Sequence, residues 1–68
     1  MSLFSELLKL IIKVRDDKLT TSDIDTAKEL VKAGSKSDWI HAIANGNPDE
    51  IEEVNRVAKD TLNHDRIG

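Results

Sequence analysis

Apolar residues recur at helical intervals along this chain, in four blocks separated by turn and capping residues. The first block holds Leu3, Phe4, Leu7, Leu8, Leu10, Ile11, Ile12 and Val14. In helical projection these fill an arc of about 200°, and Ser2, Ser5, Glu6, Lys9 and Lys13 fill the rest. The strict alternation of a half-buried strand is absent. A helix over 2–15 is predicted, ending where Arg15-Asp16-Asp17 breaks the period.

The second block is Ile24, Ala27, Leu30 and Val31, at i, i+3, i+6 and i+7. Thr20 and Thr21 can cap its start, Thr20 with Asp23 forming a shortened capping box. Gly34 follows Ala33 as a natural stop, so the helix spans 21–33. The third block is Trp39, Ile40, Ala42, Ile43 and Ala44, with Ser35 and Ser37 available as caps and Asn45-Gly46 as the end. It predicts a short helix over 36–45. The fourth start signal is the clearest. Asn47 can cap, Pro48 suits the first helical position, and Glu50 lies three residues after the cap. Ile51, Val54, Val57, Ala58 and Leu62 then form a stripe, and a helix over 48–63 should fray near Asn63-His64. The expected class is all-α, a bundle of four short helices forming one domain over 1–68. The loops read as four residues or fewer, which favours consecutive helices packing as neighbours.

Composition narrows the function. The chain has 68 residues, 38% hydrophobic and 34% charged, with a formal charge of −3. That balance suits a globular domain and is too apolar for a disordered chain. The absence of cysteine excludes a disulfide scaffold, a thiolate metal site and a cysteine nucleophile. No apolar run approaches the ~20 residues of a membrane span. The N-terminus lacks a small-residue cleavage site, so it does not read as a signal peptide, and the expected location is cytoplasmic. Domains of about 60 residues bury only ~60% of their unfolded surface. They commonly need a disulfide, a metal or a partner, and association is the route left open here.

Candidate chemistry is sparse. His41 and His64 are 23 residues apart on different helices, and no His-x-x-x-His spacing occurs. Asp38, Asp60 and Asp65 are near them in sequence, but half-packing of His41 and fraying at His64 account for both histidines. Ser2, Ser22, Ser35 and Ser37 all lie where helices begin, so capping explains them. The glycines are isolated and form no phosphate loop. No catalytic residue, cofactor, metal site or small-molecule substrate is implied, and the chain reads as a non-enzyme.

Three features point to macromolecular contacts. The apolar arc of the first helix is wider than a surface helix requires, and Leu3, Leu7, Leu10 and Val14 have the 4-3-4 spacing of a helix–helix seam. A central helix wrapped by the other three would bury the same arc. Trp39, the lone tryptophan, is large enough to anchor a core or an interface. Asp49, Glu50, Glu52 and Glu53 form the densest charge run. The first two suit the helix N-terminus, leaving Glu52 and Glu53 as an acidic docking surface. Residues 47–68 hold six acids against three bases, whereas 1–20 hold four bases against three acids.

These features lead to a small soluble interaction protein of regulator, inhibitor or adaptor type. Its partner is another protein or itself, through a surface of Leu3, Leu7, Leu10, Val14, Trp39, Glu52 and Glu53. The alternative is a helix-turn-helix DNA-binding regulator using residues 35–45. That stretch has one base, Lys36, beside the acid Asp38, too little to neutralise phosphate, so nucleic acid is not the expected partner. A membrane surface is not expected either. Lys9, Lys13, Arg15 and Lys18 would suit anionic lipid, but Glu6, Asp16 and Asp17 dilute them.

Overall fold

Residues 3–64, with the side chains of 4–64, are described by the structure, a computed structural model. Four α-helices follow in order, α1 (Leu3–Arg15), α2 (Thr21–Lys32), α3 (Asp38–Ala44) and α4 (Ile51–His64), and α4 is preceded by a 3-10 turn at Pro48–Glu50. The expected all-α class is what forms. Three local expectations are corrected. Helix α3 starts at Asp38, because Ser37 is held extended at ψ 130° as its N-cap. Pro48 opens a 3-10 turn before α4 begins. The first two loops, 16–20 and 33–37, are five residues each.

The helix ends are set locally. At the α2 N-terminus, the Thr20 backbone N–H and hydroxyl both donate to Asp23 Oδ2, at 2.8 and 3.0 Å. At its C-terminus Gly34 takes φ +106°, Ser35 N–H donates to Leu30 O and Gly34 N–H to Val31 O, both at 3.0 Å. This pair is the Schellman arrangement, which needs a left-handed residue after the cap. Helix α1 closes the same way without glycine. Asp17 takes φ +57°, Lys18 N–H donates to Lys13 O at 2.8 Å, and Asp17 N–H to Val14 O at 3.3 Å. Aspartate is among the few L-residues that tolerate this region. Asn47 accepts from Asp49 N–H at 3.0 Å, as its capping role requires. Ser37 occupies its cap position, but its hydroxyl makes no capping bond.

The short α3 is the centre of the fold. Trp39, Ile40, Ile43 and Ala44, four of its seven residues, are buried, and α3 packs broadly on both α2 and α4. Ile24, Ala27 and Leu30 reach it from α2, and Val54 and Ala58 from α4. Helix α1 lies outside this trio, against α4 and α2, and contributes Leu10 and Val14 to the core. The radius of gyration is 10.7 Å. A chain of this length packed at ordinary density has about 11 Å.

Gly46 serves the corner between α3 and α4 by its size. A Cβ placed there would stand 2.5 and 2.7 Å from the two methyl carbons of the buried Val54. Valine is stiff about χ1 and cannot swing aside cheaply. Gly46→Ala is therefore expected to cost about 1–3 kcal/mol. Combined with Val54→Ala, the same change should cost markedly less, a coupling that a double-mutant cycle by urea denaturation reads directly.

Candidate functional site

Helix α1 has two apolar faces. Positions 7, 10, 11 and 14 share the inner one. Leu10 and Val14 are 1% and 0% exposed, and Leu7 and Ile11 pack half-buried against the same cluster. Positions 4, 8 and 12, spaced by four residues, share the outer one. Phe4, Leu8 and Ile12 are 66%, 45% and 60% exposed. The expected seam is corrected accordingly. Leu10 and Val14 are consumed by the core of the single chain and cannot face a partner, and Leu7 is half taken up. The Leu3 side chain lies outside the described residues. What α1 offers to solvent is the complementary row Phe4-Leu8-Ile12. The wrapped-helix alternative is corrected too, because α3 is the central helix and α1 covers one side.

Trp39 is buried at 5% exposure, in the same cluster as Leu10 and Val14. It anchors the core and is unavailable as a surface contact. The structure thus brings Leu7, Leu10, Val14 and Trp39 together, but inside the molecule. The outer row continues into a shallow apolar groove. Phe4 and Leu7 from α1 face Leu30, Ala33, Gly34 and Ser35 at the end of α2 across a space of about 350 Å³.

Glu52 and Glu53 are exposed on α4. Glu53 is engaged by Arg56 one turn later, with Nε donating to Oε1 at 3.1 Å and a second guanidinium nitrogen to Oε2. The guanidinium hydrogen bonds and charge hold the Glu53 carboxyl below its ordinary range and raise Arg56 in turn. A carboxyl lowered in the folded state adds stability above its ordinary value and loses it as pH falls through the lowered one. In full solvent that contribution is small. Half of the expected acidic surface is therefore neutralised by its own helix.

The polar residue that sequence reasoning passed over is Asn55. It is 5% exposed on the inner face of α4, and its amide meets the α1–α2 loop. Oδ1 accepts from Leu19 N–H at 3.1 Å, and Nδ2 donates to Val14 O and to Asp17 Oδ1, each at 3.1 Å. Lys59 adds an ion pair to Asp17 at 3.3 Å. The signal was present in the sequence, since Asn55 lies four residues after Ile51 and three before Ala58, on the apolar stripe itself. Val57, placed on that stripe by spacing, is instead exposed. A second buried polar residue, Asp23, receives Lys13 Nζ at 3.0 and 3.1 Å and so ties α1 to α2. Both sets of bonds fix helices to one another, and every bond is internal. Neither leaves an unpaired group aimed at a ligand.

His41 is half-buried, its Nε2 3.0 Å from Ser35 O, and His64 is exposed at the end of α4. Among the described residues, no three His, Cys, Asp or Glu side chains gather as metal ligands. No helix among them is long and apolar enough to cross a membrane. Lys36 and Asp38 are the charged residues that the 35–45 stretch exposes, and the apolar residues of α3 turn inward. The chain matches no protein-family profile, no curated protein and no solved structure.

Proposed function

We propose that this chain is a small non-enzymatic interaction protein that acts through the outer face of α1, and that a second copy of the chain covers this face. The supporting observation is the row Phe4-Leu8-Ile12, left in solvent by a helix whose other face packs on the core through Leu10 and Val14. Contiguous exposed apolar residues mark contact sites more often than single ones do. The row also suits its own copy. A two-fold axis through Leu8 lays Phe4 of one protomer against Ile12 of the partner subunit, and the reverse, so one patch serves both sides. Burying a large apolar side chain completely is worth roughly 1.5–3 kcal/mol, and these are already half-covered. Six such side chains at about half that value contribute roughly 4.5–9 kcal/mol against association costs of about 4–15 kcal/mol, so the net affinity is small and the assembly is weak and reversible. Such an equilibrium suits a regulator whose state follows its concentration.

Light scattering across a hundredfold range of concentration tests this reading. The wild type should move from monomer toward dimer as concentration rises. Leu8→Glu should stay monomeric throughout, with helicity and melting temperature nearly unchanged, because Leu8 is outside the core. A wild type that stays monomeric to the highest concentration overturns the second-copy reading.

A further inference from the structure

Four asparagines lie among the described residues, in four different settings. Asn55 is buried with its amide in three hydrogen bonds. Asn47 is followed by Pro48, whose nitrogen carries no hydrogen and cannot act as a nucleophile. Asn63 precedes His64, whose side chain crowds the approach to its amide. Asn45 is exposed, its side chain makes no hydrogen bond among the described residues, and Gly46 follows it with no side chain at all.

We infer that Asn45-Gly46 is a site of spontaneous deamidation whose rate is controlled by the folded corner between α3 and α4. The Gly46 backbone nitrogen loses its proton to solvent base and attacks the Asn45 side-chain carbonyl carbon. A carbon–nitrogen bond closes a five-membered imide, and the side-chain nitrogen leaves with a proton as ammonia. Water then opens the ring at either carbonyl, giving aspartate or an isoaspartyl link. The net change is uptake of one water and loss of one ammonia, with no oxidant or cofactor.

The fold opposes the first step in two ways. Gly46 N–H donates to Ile43 O at 3.0 Å, so the attacking nitrogen is occupied. Asn45 sits at φ −91° and ψ 0°. At that ψ the Gly46 nitrogen eclipses the residue's own nitrogen, and tetrahedral geometry turns Cβ a third of a turn away. The ring cannot close until this bond rotates and the hydrogen bond breaks, so reaction requires the corner to open. The product then resists closing again. An isoaspartyl link adds a methylene to the main chain beside Gly46, where Val54 leaves no room even for a Cβ. Either product is one unit more negative than the −3 of the unmodified chain.

The test is incubation of the full chain in mildly alkaline buffer, with and without denaturing urea, followed by anion exchange and peptide mass mapping. In urea, Asn45 should convert before the other three asparagines. In native buffer its conversion should slow by about tenfold or more, the ratio set by the opening equilibrium. Val54→Ala, which loosens the packing against Gly46 and leaves Asn45 and Gly46 themselves unaltered, should raise the native rate and leave the urea rate unchanged. Conversion of Asn63 ahead of Asn45 in urea would overturn the site. Equal native and urea rates for the folded wild type would overturn the control by the fold.

Discussion

Replacing Leu10 by alanine is expected to cost about 2–5 kcal/mol, whereas the same change at Leu8 should stay within about 0.5 kcal/mol. Both are leucines of α1, two residues apart, and alanine suits a helix at least as well as leucine. The difference is what surrounds them. Leu10 is 1% exposed in the cluster with Val14, and truncation leaves a cavity that close-packed neighbours fill only in part. Leu8 already meets water over nearly half its surface. Natural domains hold about 5–15 kcal/mol in total, and one this small lies near the lower bound, so Leu10→Ala removes much of the reserve. Urea denaturation of the two variants at a concentration where the chain is monomeric makes the comparison. Equal losses would mean that α1 is rotated from the orientation described.

Asn55→Ala is the second large effect, expected at about 2–4 kcal/mol. The substitution removes three hydrogen bonds and strands the Leu19 N–H in a largely buried corner, at about 1–3 kcal/mol for an unpaired group, and leaves the Val14 carbonyl with only its 3.3 Å bond from Asp17 N–H. In a domain of this size, a loss of that order lowers the melting temperature by roughly 10–25 °C. It also frees the loop that holds Asp17 at positive φ, so amide exchange at Lys18 and Leu19 should accelerate before global unfolding. Asn55→Asp separates packing from hydrogen bonding. The introduced carboxylate has nearly the same shape but cannot donate, and it stands against the Asp17 carboxylate. Its proton is held more tightly in the folded state than in the unfolded one. Stability is therefore retained at low pH and lost as pH rises, opposite in sign to the Glu53–Arg56 pair. A melting temperature of Asn55→Ala within a few degrees of wild type would remove Asn55 from this role.

The capping signals were legible because their causes are short-range, although α3 and α4 begin two and three residues later than expected. Thr20 with Asp23, Gly34 after α2, and Asn47-Pro48 before α4 act within four residues of the backbone groups they satisfy. The stop at Asp17 was less legible, because aspartate takes the left-handed conformation only where the surroundings hold it. Here the Asn55 amide and Lys59, from another helix, meet its carboxylate. Asn55 itself reads as an interruption of an apolar stripe until the loop that it holds is known.

Length, composition and period determined that this chain is all-α, with helices in four places and caps that end them. Each of those properties follows from interactions between residues near one another in sequence. The tertiary structure alone decided which side of α1 is used. An apolar arc of about 200° offers two half-faces that are both apolar, and its period alone does not choose between them. The choice was made by α2, α3 and α4, whose packing leaves one place for Leu10 and Val14 and none for Phe4, Leu8 and Ile12. It also set Trp39 in the core and Gly46 against Val54, because burial and close approach belong to pairs of helices, and no single helix carries them in its sequence.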